Sequence, residues 1–220
     1  MKSKIPRFTA NYQGFTLVEL MITLVMSGII VAAIYSAYII QQKTYYTQGQ
    51  VVEMQQNIRA GLEMMSSEIR MAGYDPGGEA GAGILEATGS KIRITMDLNN
   101  DNDVLDTNED VTYEIAGGKL TRTPRVGAAQ AVAEGIQSFE SYYTLDGGII
   151  KKLDPTVTQL PQIKTVQITM LAIASQRDPK YTNTETYTTG SGASWGPFND
   201  NFRRRLLTSS VNLRNQGLNK

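Results

Sequence analysis

The sequence predicts an α+β protein: a long N-terminal helix packed on an antiparallel β-sheet domain. Three observations predict it. A continuous apolar stretch of 26 residues runs from Phe15 to Ile40. A pattern with period three to four follows, from Val51 to Ala72, and stops at Gly73. After Gly78 the period changes to two, in segments separated by glycine- and asparagine-rich turns. The boundaries are then 1–14 for a basic leader, 15–40 for a transmembrane half of the helix, 41–73 for an amphipathic half and 74–220 for a β-rich globular domain.

The leader carries Lys2, Lys4 and Arg7 and no acid. Of the 26 residues after it, 20 are apolar, the exceptions being Thr16, Glu19, Thr23, Ser27, Gly28 and Ser36. As a helix this stretch is roughly 39 Å long, more than the ~30 Å hydrocarbon core requires. The basic residues precede it, which places the N-terminus in the cytoplasm and the rest outside. Tyr35, Tyr38, Tyr45 and Tyr46 cluster at the far end, as an interfacial aromatic belt does. A secretory signal peptide, with Val31-Ala32-Ala33 as its cleavage site, is the competing reading. The apolar region is long for that, and it contains Glu19. A carboxylate at bilayer depth costs on the order of 2.5–3.5 kcal/mol and needs a reason.

In the second half of the helix Val51, Met54, Ile58, Leu62, Met65, Ile69 and Ala72 form one stripe, with Glu53, Arg59, Glu63, Glu68 and Arg70 mostly elsewhere on the wheel. Gly73-Tyr74-Asp75-Pro76-Gly77-Gly78 is a dense stop signal. Gly28 is the weakest point of the helix and the place where it could bend or unwind during assembly.

The strands follow. Lys91–Met96 and Val111–Ile115 alternate, the turn Ala116-Gly117-Gly118 returns Lys119–Thr123 as a hairpin partner, and Gly135–Thr144 precedes the turn Asp146-Gly147-Gly148. Ile163–Ala174 is apolar on both faces, which marks a central strand. Arg177–Asn201, rich in Thr, Asn, Gly and Ser, reads as a long exposed loop or irregular hairpin, and Arg205–Leu213 as the closing strand. Arg203-Arg204-Arg205 reads as solvated charge flanking an edge strand. Trp195 reads as an anchor packing this loop on the core.

Composition excludes much. The chain has 220 residues, no cysteine and no histidine, and 21 basic against 21 acidic side chains. Disulfides, thiolate metal sites and histidine-based catalysis are unavailable, so no enzyme is expected. Balanced charge gives no case for nucleic-acid binding.

One acidic loop has chemistry of its own. Asp97, Asp101, Asp103, Asp106, Glu109 and Asp110 fall between two strands, together with Asn99, Asn100, Asn102 and Asn108 and with no Lys or Arg. Alternate oxygens of a tight loop can converge on calcium. Asp97, Asn99, Asp101 and Asp103 are the first candidate ligands, with Glu109 or Asp110 completing the shell. The segment Asp97–Asp103 resembles the start of an EF-hand loop, but Asn102 replaces the turn glycine and Glu109 falls one place late. The alternative is a solvated acidic turn.

The segment Gly14-Phe15-Thr16-Leu17-Val18-Glu19-Leu20, after a basic leader, resembles the processing site of type IV prepilins and type II secretion pseudopilins. That resemblance implies cleavage after Gly14 by a prepilin peptidase, N-methylation of Phe15, and pairing of Glu19 with the N-terminal ammonium of a neighbouring subunit. Cleavage would leave 18 basic against 21 acidic side chains. Glu68-Ile69-Arg70-Met71-Ala72-Gly73-Tyr74-Asp75 and the tail from Arg203 to Asn215 are similar to PilW-type minor pilins and the related J-type pseudopilins. The function implied is a minor pilin that primes assembly or sits at the filament tip. Its partners would be other pilin subunits, prepilin peptidase, an inner-membrane assembly platform and, before assembly, membrane lipid; it would reach the cell surface or span the periplasm in a filament. A pseudopilin of a secretion system and an ordinary single-pass anchored periplasmic binding domain are the alternatives.

Overall fold

The computed structural model describes residues 14–146 and 151–216. The leader before Gly14 and the centre of the turn expected at Asp146-Gly147-Gly148 lie outside the described residues. The chain divides into two compact units, one up to Tyr46 and one from Thr47 onward.

One helix, α1 (Leu17–Met71), contributes to both units. In the first unit its side chains from Phe15 to Tyr38 are exposed on every face. Its most apolar window has a mean hydropathy of 2.4, none of it buried. The few hydroxyls there are satisfied locally. Thr23 donates to the carbonyl of Leu20 (2.9 Å), Ser27 to that of Thr23 (2.6 Å), Ser36 to that of Ala32 (2.8 Å) and Thr44 to that of Ile40 (3.0 Å). Such back-bonding is how a helix keeps polar groups paired where no water reaches. The helix runs unbroken through Gly28.

In the second unit the expected stripe is buried. Ile58, Met65 and Ile69 are fully enclosed, and Met54, Leu62 and Ala72 lie in the same core cluster. The helix ends where the stop signal lies: Gly73 takes a positive φ of 78°, which favours glycine, and Tyr74 N–H closes on Met71 O at 2.9 Å.

Two antiparallel sheets complete this unit. The first has five strands in chain order: β1 (Ile84–Ala87), β2 (Lys91–Thr95), β3 (Asp110–Ala116), β4 (Lys119–Pro124) and β5 (Gln130–Glu134). The second contains β6 (Ile136–Leu145), β7 (Lys151–Lys152), β8 (Ile163–Ile173) and β11 (Arg204–Asn212), ordered β11-β8-β6-β7. The central position expected for Ile163–Ala174 is found. A short 3-10 helix, Val157–Gln162, precedes β8. Gly61 lets the helix approach the first sheet closely, since a Cβ there would stand 2.7 Å from that of Ala133.

The segment 177–201 is an irregular hairpin around β9 (Tyr187–Thr188) and β10 (Ser194–Trp195). It lies against the second sheet: Ser191 N–H and Oγ donate to Glu140 at 3.0 and 2.8 Å, and Asn183 and Tyr187 are buried. Trp195 is half-buried and outside the core cluster, so it is not the expected anchor. Tyr187 is the buried aromatic of the hairpin, its ring centroid 6.4 Å from that of Phe198. Two of the three consecutive arginines also depart from expectation. Arg204 is buried, its guanidinium 4.0 Å above the Phe198 ring and paired with both oxygens of Asp200 (2.6 and 2.7 Å). Arg203 pairs with Asp178 (2.8 Å) and stacks on Tyr181. Planar guanidiniums here clamp the hairpin to the end of β11 instead of being solvated. Only Arg205 is exposed.

Candidate functional site

Two regions carry the sequence-predicted site residues, one in each unit. In the first, Gly14 and Phe15 precede the helix and are exposed, Phe15 to 88%. Nothing lies within 4 Å of where a Cβ on Gly14 would be, so the chain's own fold makes no demand for glycine there. Glu19 sits in the first helical turn, where the dipole favours an anion. Its Oε2 accepts from both the N–H (2.8 Å) and the Oγ1 (2.9 Å) of Thr16, while Glu19 N–H donates back to Thr16 Oγ1 (3.3 Å). This reciprocal pair is a capping box, T-x-x-E. Thr16 is therefore a site residue that the sequence reading passed over, although the spacing of Thr16 and Glu19 was its signal. Glu19 Oε1 takes no hydrogen bond among the described residues. One carboxylate oxygen thus finishes the helix, and the other is without a donor among the described residues.

In the second unit the acidic loop joins β2 to β3. Asp97 is buried, and its two oxygens accept from Asn100 N–H (2.6 Å) and Asn102 N–H (3.2 Å), both residues in left-handed backbone. Asn99, Asp101 and Asp103 each accept from the N–H two residues on (3.0, 3.1 and 2.8 Å), a run of Asx turns. Glu109 is buried and accepts from Leu98 N–H at 2.9 Å. Carboxylate oxygens of Asp101, Asp103 and Glu109 lie within 4.8 Å of one another, a spacing suited to oxygen ligation of a hard cation. Asp97 is not among these carboxylates and supports the loop backbone, while Asn99 donates its amide N–H to Asp101 and Asp106. Asp110 does not belong to the loop. It opens β3, buried, and binds Arg93 of β2 through both oxygens (2.8 and 2.5 Å), with Arg125 at 3.7 Å. A carboxylate so held is committed to its guanidinium. The register, with Thr95 opposite Asp110 and Arg93 opposite Thr112, makes Arg93 and Asp110 diagonal neighbours.

A buried polar network lies beside this loop. Glu68 accepts from Arg122 Nε (3.0 Å to each oxygen) and from Tyr113 Oη (2.8 Å), and Arg122 also reaches Asn108 (3.2 Å). Burial first, and then the Glu68 carboxylate, push the Tyr113 phenol well up, so it remains a donor. This network ties the helix to the first sheet.

Comparisons with known proteins bear on both regions. A family model described as Type IV Pilus-assembly protein W matches residues 104–215, half of the chain. A second, described as a prokaryotic N-terminal methylation motif, matches residues 9–35. Among solved structures, a type IV-like pilin from Thermus thermophilus aligns at 17% identity and a TM-score of 0.49, over 73% of this chain and 97% of that one. No curated protein matches.

Proposed function

Because the chain belongs to the type IV pilus-assembly protein W family, we propose that this minor pilin primes the assembly of a type IV pilus or sits at its tip. It is a type IV pilus minor pilin processed by prepilin peptidase. Processing after Gly14 fits the exposure of both residues at the cut and the open space at Gly14, which puts the demand for glycine on the peptidase. Before assembly the first unit spans the inner membrane with its N-terminus in the cytoplasm. The observation that carries the assembly role is the half-engaged Glu19, with Oε2 in the cap and Oε1 without a donor. A methylated ammonium at Phe15 of an adjacent subunit supplies that donor, and two opposite charges in a low-dielectric bundle cost less together than apart. The missing cysteine staple sets the chain apart from major pilins that close a C-terminal loop with one.

Intact-mass analysis of protein from its native host tests the processing step. A chain that starts at N-methylated Phe15 is expected; a start at Ile34 would establish an ordinary signal peptide instead.

The convergence of Asp101, Asp103 and Glu109 supports a second, separate proposal, that the acidic loop binds calcium and is held in shape by it. Calorimetry on the full chain in detergent, with calcium and with magnesium, checks this. Absence of calcium heat together with an unchanged melting temperature would leave the loop a solvated turn.

A further inference from the structure

The second sheet ends on β11, and among the described residues no strand pairs with its outer side. Its pairing with β8 runs without a bulge from Arg204 opposite Ile173 to Asn212 opposite Thr165. Ala174 N–H donates to Arg203 O at one end and Leu213 N–H to Lys164 O at the other, both at 2.9 Å. In an antiparallel pair such bonds fall on alternate residues. Odd-numbered residues of β11 therefore bond to β8. The N–H and C=O groups of Leu206, Thr208, Ser210 and Asn212 face the open side.

Natural edges of this length are blunted by proline, a bulge or charge. From Leu206 to Asn212 this one has neither proline nor a charged residue, and Thr208 and Ser210 are exposed. It is a template for strand addition, flanked by unspent positive charge. Arg59 and Arg70 of α1, with Leu207, Thr208 and Ser209, line a groove of about 510 Å³ beside the edge. Arg205 and Arg214 bracket the strand. All four guanidiniums are exposed and have no ion pair or hydrogen bond among the described residues, unlike neighbouring Arg203 and Arg204. Glu63 is the acid in the groove lining.

We propose that the outer edge of β11 receives an extended segment of another, different pilin subunit. That segment is uncharged at its centre and carries carboxylates toward its ends. Main-chain hydrogen bonds supply affinity, and the carboxylates, facing Arg59 and Arg70 or Arg205 and Arg214, set register and exclude other strands. Self-pairing is disfavoured by the same charges: β11 laid antiparallel on a second β11 brings Arg205 of each copy toward Arg214 of the other. The edge's place as a subunit contact rests on the pilin reading above.

The test uses the full chain in detergent micelles and three labelled peptides. One has a Thr/Val centre and aspartates at both ends, one has lysines at the ends, and one is aspartate-ended with alternate amides N-methylated. The aspartate-ended peptide is expected to bind at least ~10-fold more tightly than the lysine-ended one, and the N-methylated peptide not at all. Ser210→Pro deletes an N–H that faces outward, and is expected to abolish binding. The double change Arg59→Glu and Arg70→Glu, at exposed helix positions that leave the core intact, is expected to weaken the preference for the aspartate-ended peptide, and its combination with Arg205→Glu and Arg214→Glu to remove it. Equal binding of the two unmethylated peptides, binding of neither, or binding unchanged by Ser210→Pro overturns the inference. So does self-association without peptide that Ser210→Pro removes, because a second copy would then be the occupant. Normal cleavage after Gly14 with no peptide selectivity sinks the edge alone; peptide selectivity with no cleavage sinks the pilin reading.

Discussion

Residues 17–40 and residues 54–69 belong to one helix but solve opposite problems. In the first stretch every face is apolar and every side chain but that of Ile39 is exposed. In the second, one stripe is enclosed by two sheets while Arg59 and Glu63 stay in water. Both stretches are helical, and what differs is where the partner comes from. The stripe finds its partner in residues 84–213 of the same chain, so its burial is part of folding. The apolar half has no partner among the described residues, which fits burial by insertion and assembly. Changes in the first region should therefore alter assembly with little effect on folding, and changes in the second should do the reverse.

The largest expected effect is at Glu19. Glu19→Ala should leave membrane insertion intact or improve it, since a carboxylate worth on the order of 2.5–3.5 kcal/mol of insertion penalty is gone. Incorporation into fibres should fail, as counted by immunolabelled pili on intact cells; normal pili containing the variant would remove Glu19 from assembly. Thr16→Val should be milder. It deletes a cap hydroxyl worth about 0.5–2 kcal/mol while the carboxylate stays.

Next are the enclosed positions. Ile69→Ala should cost about 2–5 kcal/mol in the unfolding free energy of the sheet domain. Ile30→Ala, on the exposed apolar half, should move the same transition by no more than about 0.5 kcal/mol. Chemical denaturation of the full chain in detergent, followed by tyrosine fluorescence, compares the two. Equal losses would mean that the two regions are not energetically separate. Gly61→Val should cost about 1–3 kcal/mol, because the added atoms meet Ala133 of β5.

The smallest effect concerns the hairpin clamp. The Arg204 guanidinium holds Asp200 down to about 2, and Arg203 likewise lowers Asp178. Ionised carboxylates are thus favoured in the fold. The Asp200 contribution is complete above the ordinary aspartate value near ~4, and is lost as pH falls through about 2. Limited proteolysis within 177–201 should be unchanged from neutral pH down to the ordinary aspartate range and rise only below it. Asp200→Asn should raise it at all pH values; an unchanged cleavage rate would deny the clamp.

Much of this architecture was legible in the sequence because it rests on periodicity. The helix end at Gly73 and the strands β2, β3, β4, β6, β8 and β11 follow from apolar spacing and turn glycines. β1 and β5 did not, and for a reason: Ile-Leu-Glu-Ala and Gln-Ala-Val-Ala-Glu contain helix formers that become strands only because a neighbouring strand is there to pair with them. The N-terminal methylation motif was legible because it is contiguous, and a family model matches it over residues 9–35. The acidic loop was legible only as composition. Which carboxylates converge depends on Arg93, 17 positions before Asp110, and that pairing exists only once the hairpin register is set. Arg203 and Arg204 were misread because the ring beneath Arg204 and the aspartates they hold come from a hairpin without a strong period of its own.

The back-bonded hydroxyls of the first unit make that segment indifferent to which apolar solvent surrounds it. Thr23, Ser27, Ser36 and Thr44 ask nothing of lipid and nothing of a neighbouring helix. Moving the segment from bilayer to filament therefore exchanges one hydrocarbon environment for another, and the transfer free energy of its hydroxyls nearly cancels. A subunit built this way can be drawn out of the membrane or returned to it with little resistance from those groups. On the assembly proposed above, discrimination between the two environments would fall to the Glu19 carboxylate, a charge that lipid tails cannot satisfy and another subunit would.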